Sequence, residues 1–227
     1  MPECRIFVGK NVITQEMYYK NQVILTYTVN YPYFTSHYNL LILEQINAYY
    51  RTRAMMYINK EIKNLYMQAT VDYEYAMANQ FPVRQYEIYE DFTVTYNRDC
   101  ILSFYFDRYV YTGGAHGSTV RTSDSWNIAC SRPLSITDLF SAGTDIREYY
   151  IREILEQIKN EPQNGIMMYF DDYENLVKEN LNLSNFYLTN DGVVIYFQQY
   201  EIAPYASGIP EFLIPFSEDG AVLPDFC

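Results

Sequence analysis

Polar and apolar residues alternate along NQVILTYTVNYPYF. Val23, Leu25, Tyr27, Val29 and Tyr31 fall on one face, and Gln22, Thr26, Thr28 and Asn30 mostly on the other. A period of two over this length predicts a half-buried strand. From Asn39 to about Asn79 the period changes. No glycine or proline interrupts the segment, and Leu43, Ile46, Tyr50, Ala54, Tyr57, Ile58, Ile62, Leu65 and Ala69 recur at steps of three and four. That spacing predicts one long amphipathic helix, with Pro82 just beyond its end.

YEIYEDFTVTY and CILSFYFDRYVY are rich in aromatic and β-branched residues and are joined by Asn97-Arg98-Asp99. They predict a hairpin. A glycine loop follows in YVYTGGAHGSTVRTS, then a strand in SDSWNIAC and a short capped turn of helix at Ser135–Leu139, whose Ser-x-x-Asp spacing suits a capping box. Ile146, Tyr150, Ile154 and Ile158 predict a second amphipathic helix stopped by Pro162, and Phe170, Tyr173, Val177 and Leu181 a third. NFYLT, the turn Asn190-Asp191-Gly192, VVIYFQQY and FLIPF predict closing strands, with an irregular segment, EIAPYASGIPE, before the last. The expected class is α+β: mostly antiparallel sheets packed with one long and two shorter amphipathic helices, in two intimately packed subdomains. Their boundary is expected between residues 112 and 125.

Composition sharpens this picture in three places. The 227 residues suffice for a sizeable core, and 49% hydrophobic against 19% charged places the chain among folded proteins. There are 26 tyrosines but a single tryptophan, which suits a wet binding face as well as strand packing. A net charge of -12 repels nucleic acid and anionic lipid and attracts basic proteins. No apolar run is long enough to span a bilayer, and MPECRIFVGK lacks the apolar core of a secretion signal. The expectation is that the chain works inside the cell or that a leader has been removed. Four cysteines, at 4, 100, 130 and 227, permit two disulfides. Cys100 and Cys130 flank the glycine loop and are candidates to pair, while Cys4 and Cys227 sit at termini, where thiols are often free.

Candidate chemistry is sparse. Gly113, Gly114 and Gly117 let the backbone take unusual φ or approach a ligand closely, but the loop has neither a Walker lysine nor dinucleotide spacing. His116 either bonds its own loop or meets a ligand. It is too near Ser118 in sequence for easy triad geometry, and GxSxG is absent. Only His37 and His116 exist, with no HxxxH, so no metal and no cofactor is expected. Tyr169-Phe170-Asp171-Asp172 is reminiscent of the Asp-Asp motif of polysaccharide deacetylases, but no histidine follows position 116. Glu201 is an anchor for the irregular loop or an acid for glycan hydrolysis. The binding candidates are Gly113, Gly114, His116, Glu201, Pro204, Tyr205 and Pro210, and no catalytic set is expected.

The TGGAHG core within Tyr109–Gly117, together with FYLTNDGVVIYFQQYEIAPYASGIPEFLIPFS, resembles the paired domains of RsiV-type proteins, the lysozyme-binding part of an anti-sigma factor. The same pair precedes the catalytic domain in some PdaC-type peptidoglycan deacetylases. The resemblance implies a PdaC-type module over residues 1–117 and an RsiV-type module over 118–227. It also implies a non-catalytic binding module of the bacterial cell envelope, with a basic lysozyme-like protein or a peptidoglycan fragment as partner. A glycan hydrolase and an interaction protein inside the cell are the alternatives.

Overall fold

The structure, a computed structural model, describes residues 4, 6–36, 41–141, 143–161, 168–217 and 220–223. His37, Pro162 and Cys227 lie outside them. The fold is mixed α and β, as the hydrophobic periods predict. By contacts the chain divides into a helix unit, Ile6–Phe92 with Phe106–Val120, and a C-terminal unit, Thr93–Tyr105 with Arg121–Cys227 and the first five residues.

In the helix unit a hairpin pairs β1 (Phe7–Tyr19) with β2 (Gln22–Thr35). Lys20 and Asn21 form its two-residue turn with φ of 45° and 65°, the positive-φ pair that matches strand twist. No glycine marks this turn and β1 is largely polar, so the alternation signal misses it. The inward face of β2 also changes along its length. Leu25, Tyr27 and Val29 are buried first, then Asn30, Pro32 and Phe34. The far end is covered by a helix: Tyr50 meets Phe34 edge-on at 6.0 Å, and the Asn47 amide bonds both main-chain groups of Phe34.

That helix is α1 (Leu41–Tyr57), continued without a break by a π-helical turn (Ile58–Ile62) and α2 (Lys63–Ala78). Buried positions run 43, 46, 50, 54, 57, then 62, 69, 73, 76. The five-residue step from Tyr57 to Ile62 is where the π turn resets the phase, keeping one face inward over the whole length. The helix crosses over to β3 (Tyr86–Arg98), which pairs parallel with β2. β4 (Ile101–Tyr111) and β5 (Ser118–Asn127) follow β3 in order in the same sheet. The β3–β4 turn is centred on Asp99 and Cys100, at φ of 51° and 57°, one residue later than expected. Cys100 is disulfide-bonded to Cys4, with Cα atoms 5.1 Å apart. This corrects the Cys100–Cys130 pairing: the Cys4 carbonyl accepts from the Cys100 N–H, which seats the N-terminal segment beside the turn.

The C-terminal unit adds β6 (Arg132–Pro133), a 3-10 turn (Ile136–Leu139), α3 (Ile146–Asn160) and α4 (Tyr173–Asn180). It closes with an antiparallel sheet of β7 (Phe186–Leu188), β8 (Gly192–Tyr196) and β9 (Glu211–Pro215). The predicted capping box is present, with the Ser135 N–H donating to the Asp138 carboxylate at 2.7 Å. Tyr150, Ile154 and Ile158 of α3 are buried against Val177, Leu188, Ile195 and Phe212.

Candidate functional site

The glycine loop joins β4 to β5. Gly113 has φ of 88°, which favours glycine, and its carbonyl accepts from Arg84 Nη1 at 2.9 Å. The same nitrogen reaches the Gly114 carbonyl at 3.1 Å, and the Tyr111 hydroxyl donates there as well. Gly117 is needed for a different reason: the Tyr109 ring occupies the space a Cβ would fill. Gly114 has no such constraint. His116 is exposed, with Nδ1 2.9 Å from the Gly117 carbonyl. Beside the loop lies a pocket of about 450 Å³ lined by Asp72, Tyr75, Phe81, Arg84, Tyr86 and Gly113. Within it the Tyr86 hydroxyl donates to Asp72, and burial together with that bond pushes the phenol well above its ordinary range.

Glu201, Pro204, Tyr205 and Pro210 belong to the C-terminal unit, whereas Gly113, Gly114 and His116 belong to the helix unit. The Glu201 carboxylate accepts from the Gln198 N–H at 2.6 Å, and its own carbonyl accepts from Asn180. Burial raises its pKa, and the Gln198 N–H opposes the shift. The Pro210 carbonyl accepts from Phe197 and that of Pro204 from Ser207, while Gly208 turns the chain at φ of 68°. These three residues therefore set the path of the loop. Tyr205 is half-buried 5.9 Å from exposed Tyr200, so this pair is the aromatic surface that the segment presents.

The sequence reading missed Arg121, which is only 7% exposed. Its guanidinium lies 3.8 Å from the centre of the Tyr105 ring and pairs with Glu211, and the side-chain amide of Gln198 bonds both its N–H and its carbonyl. A buried arginine is affordable only with such partners. Arg121 stands among surface-like polar residues in VRTSDS, so nothing in the local pattern marks it as buried.

Glu211 also borders a pocket of about 540 Å³ with Glu153, Glu156 and Glu161. Glu153 and Glu156 are one turn apart on α3, so their carboxylates share a face. Glu153 pairs with Arg152, while Glu156 has no cationic partner among the described residues. Tyr169 lines the same pocket, where burial and the neighbouring Glu161 push its phenol upward. Among the described residues no cluster of three or more His, Cys, Asp or Glu is placed to hold a metal, and no helix is long and apolar enough to cross a membrane.

Residues 19–119 match the family model described as Deacetylase PdaC, and residues 137–217 match that of a protein of unknown function, DUF3298. The chain is 26% identical over 123 residues to immunogenic protein MPT64 of Mycobacterium tuberculosis, covering 51% of this chain and 49% of that protein. It is 24% identical over 180 residues to peptidoglycan-N-acetylmuramic acid deacetylase PdaC of Bacillus subtilis, covering 78% of this chain and 34% of that protein. The chain thus spans half or less of the length of these relatives. A crystal structure of a DUF3298 family member from Bacteroides fragilis shares the fold, with TM-score 0.69 and 19% identity over 93% of this chain and 91% of that one. A second, from Pseudomonas aeruginosa, gives TM-score 0.52 at 19% identity over 92% and 90%.

Proposed function

We propose that this chain, a PdaC-type domain followed by a DUF3298 domain, is a non-catalytic binding module of the bacterial cell envelope whose partner is a basic protein of the lysozyme type. The observation that carries this reading is an uneven distribution of charge. The DUF3298 segment, residues 137–217, holds 13 acidic and 4 basic residues, a net of -9 out of -12 for the chain. The PdaC segment, residues 19–119, holds 9 acidic and 8 basic, a net of -1. A field concentrated on one segment steers a basic partner to that segment. Glu153 and Glu156, on one face of α3, offer carboxylates to its lysines and arginines.

The envelope setting is supported by the B. subtilis relative, which is named for its action on peptidoglycan, and the lysozyme-type partner by the resemblance to RsiV-type ectodomains. Glu201, the acid that a glycan-cleaving reading requires, is committed to the Gln198 main chain, which favours binding over hydrolysis. Tyr205 is in the acidic unit, and we place it at the edge of the contact surface. The test is calorimetric titration with a c-type lysozyme. Glu153→Lys with Glu156→Lys is expected to weaken binding by about tenfold or more, the scale of losing two interfacial charges, and Tyr205→Ala by less. Unchanged affinity in the double reversal would remove α3 from the site.

A further inference from the structure

We infer that the open trough between α1 and the β1–β2 hairpin, lined mostly by the nearly neutral PdaC-type segment, is a binding site for an oligosaccharide chain. The trough has a volume of about 970 Å³, within the range of ligand sites. It lies in the helix unit, on a different segment from the acidic surface, and takes a different chemistry of ligand.

Its lining mixes apolar Ile13, Met55 and Met56 with hydrogen-bonding side chains that are uncommitted. Asn11, Tyr31, Tyr33, Arg51, Thr52 and Asn59 all face it, and among the described residues none has a hydrogen-bond or ionic partner for its side chain. Neighbouring Asn47 shows the contrast. Both ends of its amide are spent on Phe34, at 2.7 and 2.9 Å, fixing the helix wall to the strand wall. Tyr31 and Tyr33 are two residues apart on one face of β2, about 7 Å along the strand. Tyr33 is paired across the hairpin with Gly9, and its ring covers that glycine where any Cβ would collide. The ring is therefore held flat across the strand and remains 43% exposed.

Flat aromatic faces take the C–H face of a pyranose, while amides, a hydroxyl and a guanidinium take its hydroxyl and acyl groups. Other ligand classes fit less well. Among the described residues Arg51 is the one cation lining the trough, too little for a polyphosphate. The six polar side chains would be left unpaired by an acyl chain.

The experiment is NMR titration of the full chain with soluble peptidoglycan fragments and, separately, chitotetraose. The expected result is binding of at least one of these sugars, weakened about tenfold or more (~1.4 kcal/mol or more) by Tyr33→Ala and by Thr52→Trp, an exposed helix position whose larger ring fills the trough. Both variants should melt within a few degrees of wild type and keep wild-type affinity for lysozyme, which separates this site from the acidic one. Absence of binding by both sugars at millimolar concentration, or wild-type sugar affinity in both variants, overturns the inference.

Discussion

Glu90 is 2% exposed on β3, and Arg108 of β4 meets it with Nε 2.6 Å from the carboxylate. The guanidinium also lies over the Tyr57 ring, 3.6 Å from its centre. Arg108→Ala leaves a carboxylate buried without its cation and is expected to cost about 3–5 kcal/mol in urea unfolding. A loss below about 1 kcal/mol would show that water reaches Glu90. Tyr57 itself is buried with no hydrogen-bond partner for its hydroxyl among the described residues, and burial pushes its pKa up to about 12. The folded state thus favours the protonated phenol. Its contribution is complete below pH 10, the unfolded value, and is lost as pH rises through about 12. Tyr57→Phe is expected to leave stability at pH 7 unchanged or up to ~1 kcal/mol higher, and to flatten this part of the alkaline loss. A clear loss of stability at neutral pH would mean that the hydroxyl has a partner. None of these roles is legible from sequence, because Glu90 sits in the polar stretch YEDF and only the fold surrounds it with tyrosine and arginine.

The long helix shows both the reach and the limit of periodicity. Leu43, Ile46, Tyr50, Ala54 and Tyr57 mark its inner face, and all five are buried. The pattern then includes Ile58 and Leu65, which are only half-buried, because the π turn at Ile58–Ile62 shifts the face by one residue. Deleting Lys60 shortens the five-residue step from Tyr57 to Ile62 to four, so a regular helix keeps both halves in phase, whereas inserting an alanine after Lys60 adds a residue beyond the one the π turn absorbs and rotates one half against the other by about 100°. We expect the insertion to lower the melting temperature by more than ~10 °C, a loss of several kcal/mol, while the deletion costs much less. Equal behaviour of the two would show that the phase is set elsewhere. β1 escaped detection for a related reason. Its inner residues Ile13, Met17 and Tyr19 are spaced among asparagine, glutamine and glutamate, and its turn relies on Lys20 and Asn21 rather than glycine. The glycine loop was legible as a special backbone, yet Arg84, which holds two of its carbonyls, lies 29 residues earlier in sequence.

For the whole molecule, the two matched segments differ more in charge than in composition of the core. One is nearly neutral and supplies most of a trough with uncommitted polar side chains; the other carries most of the negative charge and a pocket bordered by carboxylates. The net acidity was plain in the sequence, but its convergence on Glu153, Glu156, Glu161 and Glu211 depends on α3 lying beside β9. Acidic attraction acts over about 10 Å at 0.1 M salt, so binding built on it must weaken as salt rises. The most direct measurement is titration of the chain with a c-type lysozyme at ~50 and ~300 mM salt. The account predicts binding at low salt that falls by about tenfold or more at high salt and is weakened by Glu153→Lys with Glu156→Lys. No binding at low salt, or binding indifferent to both salt and charge reversal, would contradict it.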